Sequence, residues 1–286
     1  MNTTSQTESM QKTSSPLNIA VVVDILKFLH LNSIFNYILK YTNRETKLWV
    51  ENQKLKMRVR HLGYRLVPQE ELKHHYREAL LLLSKNDGAE SLGDYLEFGV
   101  CHGSSMACMH HALKDLGCDH IRLFGFDSFE GMPDAADTED DGSWYAGQFK
   151  SDYKFTKEFL TQQGVQWNRV FLIKGWFTET LNPQLIEQHS ITKASVIMID
   201  CDLYSSTKLA LDFCAPLIQE RAIIFFDDWN SNNLAEKNLG EKRAFDEFLN
   251  KNPDLVAKEL GSYTEKAEWD TSKIFLISRQ YPAPMV

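Results

Sequence analysis

The sequence predicts an α/β protein: a doubly wound, largely parallel Rossmann-like sheet behind a helical N-terminal extension, with one long loop set as a lid over the sheet edge. Three observations carry that expectation. Short, almost continuously apolar segments recur at 94–100, 121–127, 169–175, 194–200 and 221–228, the pattern of strands buried on both faces. Stretches long enough for crossover helices separate them, as in a βαβ chain. Several segments end in an acid or a glycine, at the strand ends where open α/β sheets bind ligands.

Residues 1–16 are polar and Ser/Thr-rich, without the basic and apolar blocks of a signal peptide, and read as a disordered tail. Leu17 to Leu39 is apolar, but Asp24, Lys27 and His30 interrupt it, which argues against a membrane span. Its apolar positions, Ile25, Phe28, Leu29, Ile34, Ile38 and Leu39, recur at helical spacing. A second helix is expected from after Pro68 to about Ser84, stopped by the turn signal at Asn86 to Gly88. Residues 17–84 therefore form a helical extension, expected to pair two copies into a homodimer, and 85–286 form the catalytic domain. Within it DYLEFGV, IRLFGFD, RVFLIKG, ASVIMID and RAIIFFDD are the parallel strands, and KIFLISR at 273–279 closes the sheet as an antiparallel edge. The stretch 128–156 is too long and too rich in Asp, Gly and aromatics for a plain connection, and reads as the lid.

Composition narrows the function. Of 286 residues, 43% are hydrophobic and 24% charged, which excludes collagen-like, disordered and membrane-embedded classes for most of the length. Thirty-one Lys and Arg against 39 Asp and Glu give a net charge of -8 without a basic tract, so nucleic acid is not an expected partner. Five cysteines without CxxC spacing argue against a disulfide framework or structural zinc, and a reducing cytoplasm is the expected compartment.

Two strand ends carry the chemistry. EFGVCHG spans Glu97 to Gly103; Gly99 and Gly103 permit a tight turn, and the helix that follows offers free N–H groups to a negative ligand. The spacing is ExGxxxG rather than GxGxxG, which favours a ligand with a small carboxylate over a pyrophosphate. Asp127 ends the next strand, where nucleotide folds place an acid for ribose hydroxyls. A ligand-free tight turn would explain the glycines alone, but not Asp127. At the second site, Asp200 and Asp202 face one way if the strand stays extended, and Asp227 and Asp228 end the neighbouring segment. Four carboxylates at one rim suit a hard ion, Mg²⁺, with Mn²⁺ or Ca²⁺ as alternatives. Helix caps account for single acids, not for paired acids on adjacent strand ends.

Competing motifs are weaker. Tyr204 and Lys208 spell YxxxK, but the dinucleotide glycines are missing; Asp200-Cys201-Asp202 also fits a DxD glycosyltransferase or a haloacid dehalogenase pair, both of which leave ExGxxxG unexplained. His74-His75 and His110-His111 are adjacent rather than i, i+4, and read as surface or packing residues.

Taken together and in order, YLEFGVCHGSS, FGFDSFEGMP, GSWYAGQF, IMIDCDLYSST and IIFFDDW resemble the macrocin O-methyltransferase family over Tyr95 to Trp229. The resemblance implies a Rossmann-like methyltransferase sheet, S-adenosylmethionine as methyl donor, Mg²⁺, and a natural-product hydroxyl as acceptor, on a deoxysugar or on a polyketide or peptide. By matching position it implies cofactor contacts at Glu97, Gly99, Gly103, Ser104, Asp127, Ser128, Gly175, Trp176 and Asp200. It places the metal on Asp200, Asp227 and Asp228. It gives Asp202 as general base; Asp202 also lies two residues past the strand end, nearer open space. Some members are thought to use a lid histidine, yet no His lies between His120 and His189, leaving Tyr145 as the other lid candidate. A DxD glycosyltransferase and a non-catalytic, oligomerising Rossmann domain remain the alternatives.

Overall fold

The computed structural model describes residues 43–61, 66–265 and 271–281. The expected tail at 1–16 and the helical stretch 17–42 lie outside the described residues. Residues 1–64 and 65–286 are two compact units. In the first, helix α1 spans Arg44–His61, with Asn43 accepting from the Thr46 N–H at 2.9 Å as its cap, Glu45 in the first turn and Arg58, Arg60 and His61 in the last.

The second unit opens with α2, Gln69–Ser84. Its apolar stripe, Leu72, Tyr76, Leu80 and Leu83, is buried, and the Tyr76 ring lies 4.9 Å from Phe225 while its hydroxyl meets Tyr95 at 3.0 Å. This helix, expected as the end of an oligomerising extension, therefore packs on the sheet of the second unit. Then follow β1 (Asp94–Phe98), α3 (Ser104–Asp115), β2 (Leu123–Asp127), α4 (Tyr153–Gln162), β3 (Val170–Lys174), α5 (Phe177–Thr180), α6 (Pro183–His189), β4 (Ala194–Ile199), α7 (Tyr204–Cys214), β5 (Arg221–Phe226), α8 (Gly240–Lys251), β6 (Leu255–Gly261) and β7 (Lys273–Arg279).

The strands make one sheet in the order β3-β2-β1-β4-β5-β7-β6, parallel from β3 to β5. The run 273–279 is antiparallel, as expected, but it is not the edge: β7 lies between β5 and β6. The edge strand β6 escaped the sequence reading because it is half solvated, with Val256 and Leu260 exposed, and so lacks a continuous apolar run.

Side-chain alternation sorts β1 into two faces. Leu96 and Phe98 enter a core with Phe124, Phe126, Ile197, Ile199, Ile224 and Phe226, closed by Leu211 and Phe213 of α7 and Phe245 of α8. Phe98 stacks on Phe126 at 4.9 Å. Tyr95 and Glu97 point to the other face, toward α2 and α3. Chain order reverses between β1 and β4, which opens the crevice at their carboxyl ends. All five cysteines are free, and among the described residues no helix is long and apolar enough to cross a membrane.

Candidate active site

Gly99 sits just past β1, against the backbone that leaves β4. Its φ is 92°, and a Cβ there would lie 1.7 Å from the Asp200 carbonyl oxygen. Only glycine lets Gly99 bond to the Phe126 carbonyl while Asp200 bonds to that of Phe98, each at 2.9 Å. The turn then runs through Cys101 and Gly103, at φ 46° and 83°, into α3.

Asp127 holds this turn from β2. One carboxylate oxygen accepts from the Val100 and Cys101 N–H groups at 2.9 and 2.7 Å, the other from Phe129 at 2.6 Å. The predicted ribose acceptor thus shapes the loop as well. Glu97 is fully buried; Tyr95 donates to one oxygen at 2.5 Å and Ser105 to the other at 2.7 Å. Burial pushes its pKa up to about 7, with those two bonds opposing. Ser104, the first residue of α3, is buried with its Oγ unpartnered. Ser128 is spent locally, donating to the Gly131 carbonyl and accepting from the Glu130 N–H. Gly175, φ 149°, follows β3 and donates to the Asp127 carbonyl at 3.0 Å, and Trp176 is the cap residue before α5.

At the ends of β4 and β5 the predicted triad converges: one carboxylate oxygen each from Asp200, Asp227 and Asp228 lies within 4.8 Å of the others. Asp202 reaches the same cluster, in contact with Asp228, but not by strand alternation. β4 stops at Ile199 and Asp202 has φ 63°, so a turn carries it there. That turn also leaves Asp202 only 8% exposed, more buried than Asp200 and Asp227 rather than nearer open space.

Glu241 is a fifth carboxylate that the sequence did not single out, being one of many helix acids. It is fully buried at the start of α8, accepts from the Asp228 N–H at 3.1 Å through one oxygen, and has its other oxygen unpartnered. Tyr263 donates to Asp227, and Ser231 to Asp228 at 2.6 Å. Burial raises the pKa of all five acids, and the further charges pushing on Asp200, Asp202 and Glu241 are the neighbouring carboxylates; Asp227 is held at about 7 by burial and then Asp228. A set of hard oxygen donors that repel one another, with an orphaned buried oxygen beside them, fits a divalent cation.

The expected lid, 128–156, runs into α4 at Tyr153; its part 128–152 has no long helix or strand, yet much of it is packed. Met132, Ala136 and Trp144 form a small core with Leu203 and Leu234. Glu139 accepts from the Ser205 N–H and hydroxyl at 2.6 and 2.8 Å, and Asp140 from the Tyr204 and Gly240 N–H groups at 2.9 Å each. These loop acids cap α7 and α8, a role the sequence did not reveal because their partners lie 64–100 positions away. Tyr145, the other candidate base, is 38% exposed on the loop.

The YxxxK pair is structural: Tyr204, Lys208 and Arg243 converge on Glu247, with the Arg243 guanidinium 4.2 Å from the Tyr204 ring, tying α7 to α8. Of the adjacent histidines, His110 accepts from the Gln166 N–H, and burial lowers its pKa to about 4.

A family model described as Macrocin-O-methyltransferase (TylF) matches residues 25–252. A curated relative, 8-demethyl-8-(2,3-dimethoxy-alpha-L-rhamnosyl)-tetracenomycin-C 4'-O-methyltransferase of Streptomyces olivaceus, is 29% identical over 143 residues, covering 48% of this chain and 53% of its own length. The chain thus spans about half the length of that relative. Among solved structures, the O-methyltransferase NovP superposes with a TM-score of 0.58 at 19% identity, covering 74% of this chain and 80% of that one. CalS11, calicheamicin methyltransferase, gives 0.54 at 21% identity, covering 96% and 99%. At such identities the structural likeness speaks for the fold.

Proposed function

This chain belongs to the macrocin O-methyltransferase family, and from that premise we propose that it transfers a methyl group to a hydroxyl of a glycosylated natural product, with S-adenosylmethionine as donor and a divalent cation, Mg²⁺, at the acceptor. The observation that carries the reading is the meeting of the Asp200, Asp227 and Asp228 carboxylates beside a glycine turn at the switch point of the sheet. A sugar acceptor is favoured by the relative that methylates a rhamnosyl 4'-hydroxyl.

Residue roles follow from position. The turn from Gly99 to Ser104, with Asp127 and Glu97 behind it and Gly175 and Trp176 beside it, would hold the donor; Asp200, Asp227 and Asp228 would hold the cation. When bound, these groups supply an electrophilic methyl on a sulfonium and a positive charge that makes a coordinated hydroxyl more acidic. Asp202, touching Asp228, would take the hydroxyl proton; burial and the neighbouring carboxylates raise its pKa, which favours proton uptake. The packed loop 128–152 would limit water at the rim, and the sheet ends would hold the donor and acceptor sites beside each other. With α2 packed on the sheet, the stretch 17–61 is left to pair two copies, a reading supported by the helical spacing of its apolar residues and testable by light scattering.

The test is calorimetry with S-adenosylhomocysteine and with Mn²⁺ or Mg²⁺. Binding of the nucleoside and of the ion is expected; a chain that bound a nucleotide sugar instead would be the DxD glycosyltransferase, and one that bound neither would be a non-catalytic domain.

A further inference from the structure

We propose that Asp140 is a positioning residue that makes the seating of the 128–152 loop and the placement of the metal-edge carboxylates one event. The inference rests on the methyltransferase reading, since it concerns that same rim.

The geometry is unusual for a loop acid. Asp140 is 5% exposed, and each of its oxygens takes one backbone N–H at 2.9 Å: Tyr204, the first residue of α7, and Gly240, the first of α8. Both helix starts adjoin the site. Tyr204 follows the turn of Asp202, where Leu203 donates to the Cys201 carbonyl at 2.7 Å and Asp202 is held at φ 63°. Gly240 precedes Glu241, which accepts the Asp228 N–H, and a Cβ on Gly240 would lie 3.9 Å from the Asp202 carbonyl oxygen. One carboxylate therefore spans the two backbone segments that aim Asp202 and Asp228.

The loop side is equally constrained. Asp140, Asp141 and Gly142 have φ of 51°, 58° and 63°, a run of left-handed residues that persists only where surroundings impose it. Asp137 receives the Ala146 N–H at 3.0 Å, and Trp144 and Ala136 pack against Leu203, the neighbour of Asp202. Lifting the loop breaks the Asp140 bonds and strips the apolar cover from Leu203, freeing the Asp202 turn to relax. Seating it restores both. The neighbour Asp141 offers the matched control, because its carboxylate pairs at the surface with Lys237 at 3.1 Å.

The experiment compares wild type, Asp140→Ala, the isosteric Asp140→Asn and Asp141→Ala by three measurements: Mn²⁺ affinity by electron paramagnetic resonance, S-adenosylhomocysteine affinity by calorimetry, and protease cleavage within 128–152. Expected for Asp140→Ala is faster loop cleavage together with Mn²⁺ affinity lowered about fivefold to tenfold, the worth of a helix cap or two, at unchanged S-adenosylhomocysteine affinity. Asp141→Ala is expected to match wild type. If the alanine variant loses the nucleoside as well, the asparagine variant carries the comparison. Faster cleavage with wild-type Mn²⁺ affinity, or weaker Mn²⁺ binding with wild-type cleavage, overturns the coupling. Wild type failing to bind S-adenosylhomocysteine defeats the functional reading itself, a separate result.

Discussion

At the ends of β1 and β2 the carboxylate of Asp127 is answered by three backbone N–H groups, whereas at the ends of β4 and β5 Asp200, Asp227 and Asp228 face chiefly one another. The first rim is complete within the chain: its turn is built and its acids have donors. At the second, Tyr263 and Ser231 donate to Asp227 and Asp228, and the crowded carboxylates fit the proposed cation. Two neighbouring rims of one sheet can thus differ in kind, one preorganised by hydrogen bonds and the other held in tension by like charge.

The comparison breaks most visibly under chelation. Removing divalent ions is expected to abolish methyl transfer while leaving S-adenosylhomocysteine affinity within about twofold, because the donor rim needs no cation. Asp227→Asn and Asp228→Asn are expected to act as partial chelation, with activity recovering as Mg²⁺ is raised. Initial rates against Mg²⁺ concentration, beside calorimetry of the nucleoside, read both halves; full activity in chelator would end the metal role.

Next in size is Asp202→Asn, expected to lose roughly 10²- to 10⁴-fold in turnover, the usual worth of a positioned proton acceptor. Added Mg²⁺ is not expected to restore it. Recovery by metal would move Asp202 from the proton to the ion, and a matching loss in a Tyr145→Phe variant would move the base to the loop.

Gly99→Val tests the seam between the rims. Even the added Cβ would lie 1.7 Å from the Asp200 carbonyl oxygen, so β1 and β4 must part, at a cost of about 2–4 kcal/mol. Nucleoside and Mn²⁺ affinity are both expected to fall by about tenfold or more. Asp127→Asn, which disturbs only the donor rim, is expected to weaken the nucleoside and spare Mn²⁺; a variant that weakened both equally would mean that the two rims are not independent.

What could be read from sequence follows the same division. The strand cores were legible because Leu96, Phe98, Ile197 and Phe226 belong to continuous apolar runs, and the triad was legible because its members end such runs. Gly99 was visible as a turn residue, but its reason, the approach of the β4 backbone, is a tertiary fact. Glu241, Glu139 and Asp140 look like any surface acid in the chain; only folding brings them against N–H groups far away in sequence. The edge strand β6 gave no signal because one of its faces meets water.

The smallest effect separates the rims by pH. Asp227 and Glu97 both have folded pKa values raised to about 7, from ordinary values near 4, so each favours folding in its protonated form. The sign follows from linkage: their contribution is fully present below the unfolded value near pH 4 and is lost as pH rises through the folded value near 7. Metal-free protein is therefore expected to lose thermal stability between about pH 5 and pH 8. Mg²⁺ offsets only the share from the metal rim, so the rise in Tm on adding Mg²⁺ is expected to grow with pH, by roughly 2–4 °C at the alkaline end. Two variants split the sources. Asp227→Asn is expected to flatten the metal-free slope and to remove most of the Mg²⁺ gain, whereas Glu97→Gln flattens the slope and keeps the gain. A Mg²⁺ gain independent of pH, or one that Glu97→Gln removes, would mean that the charge stored at the strand ends is not confined to β4 and β5.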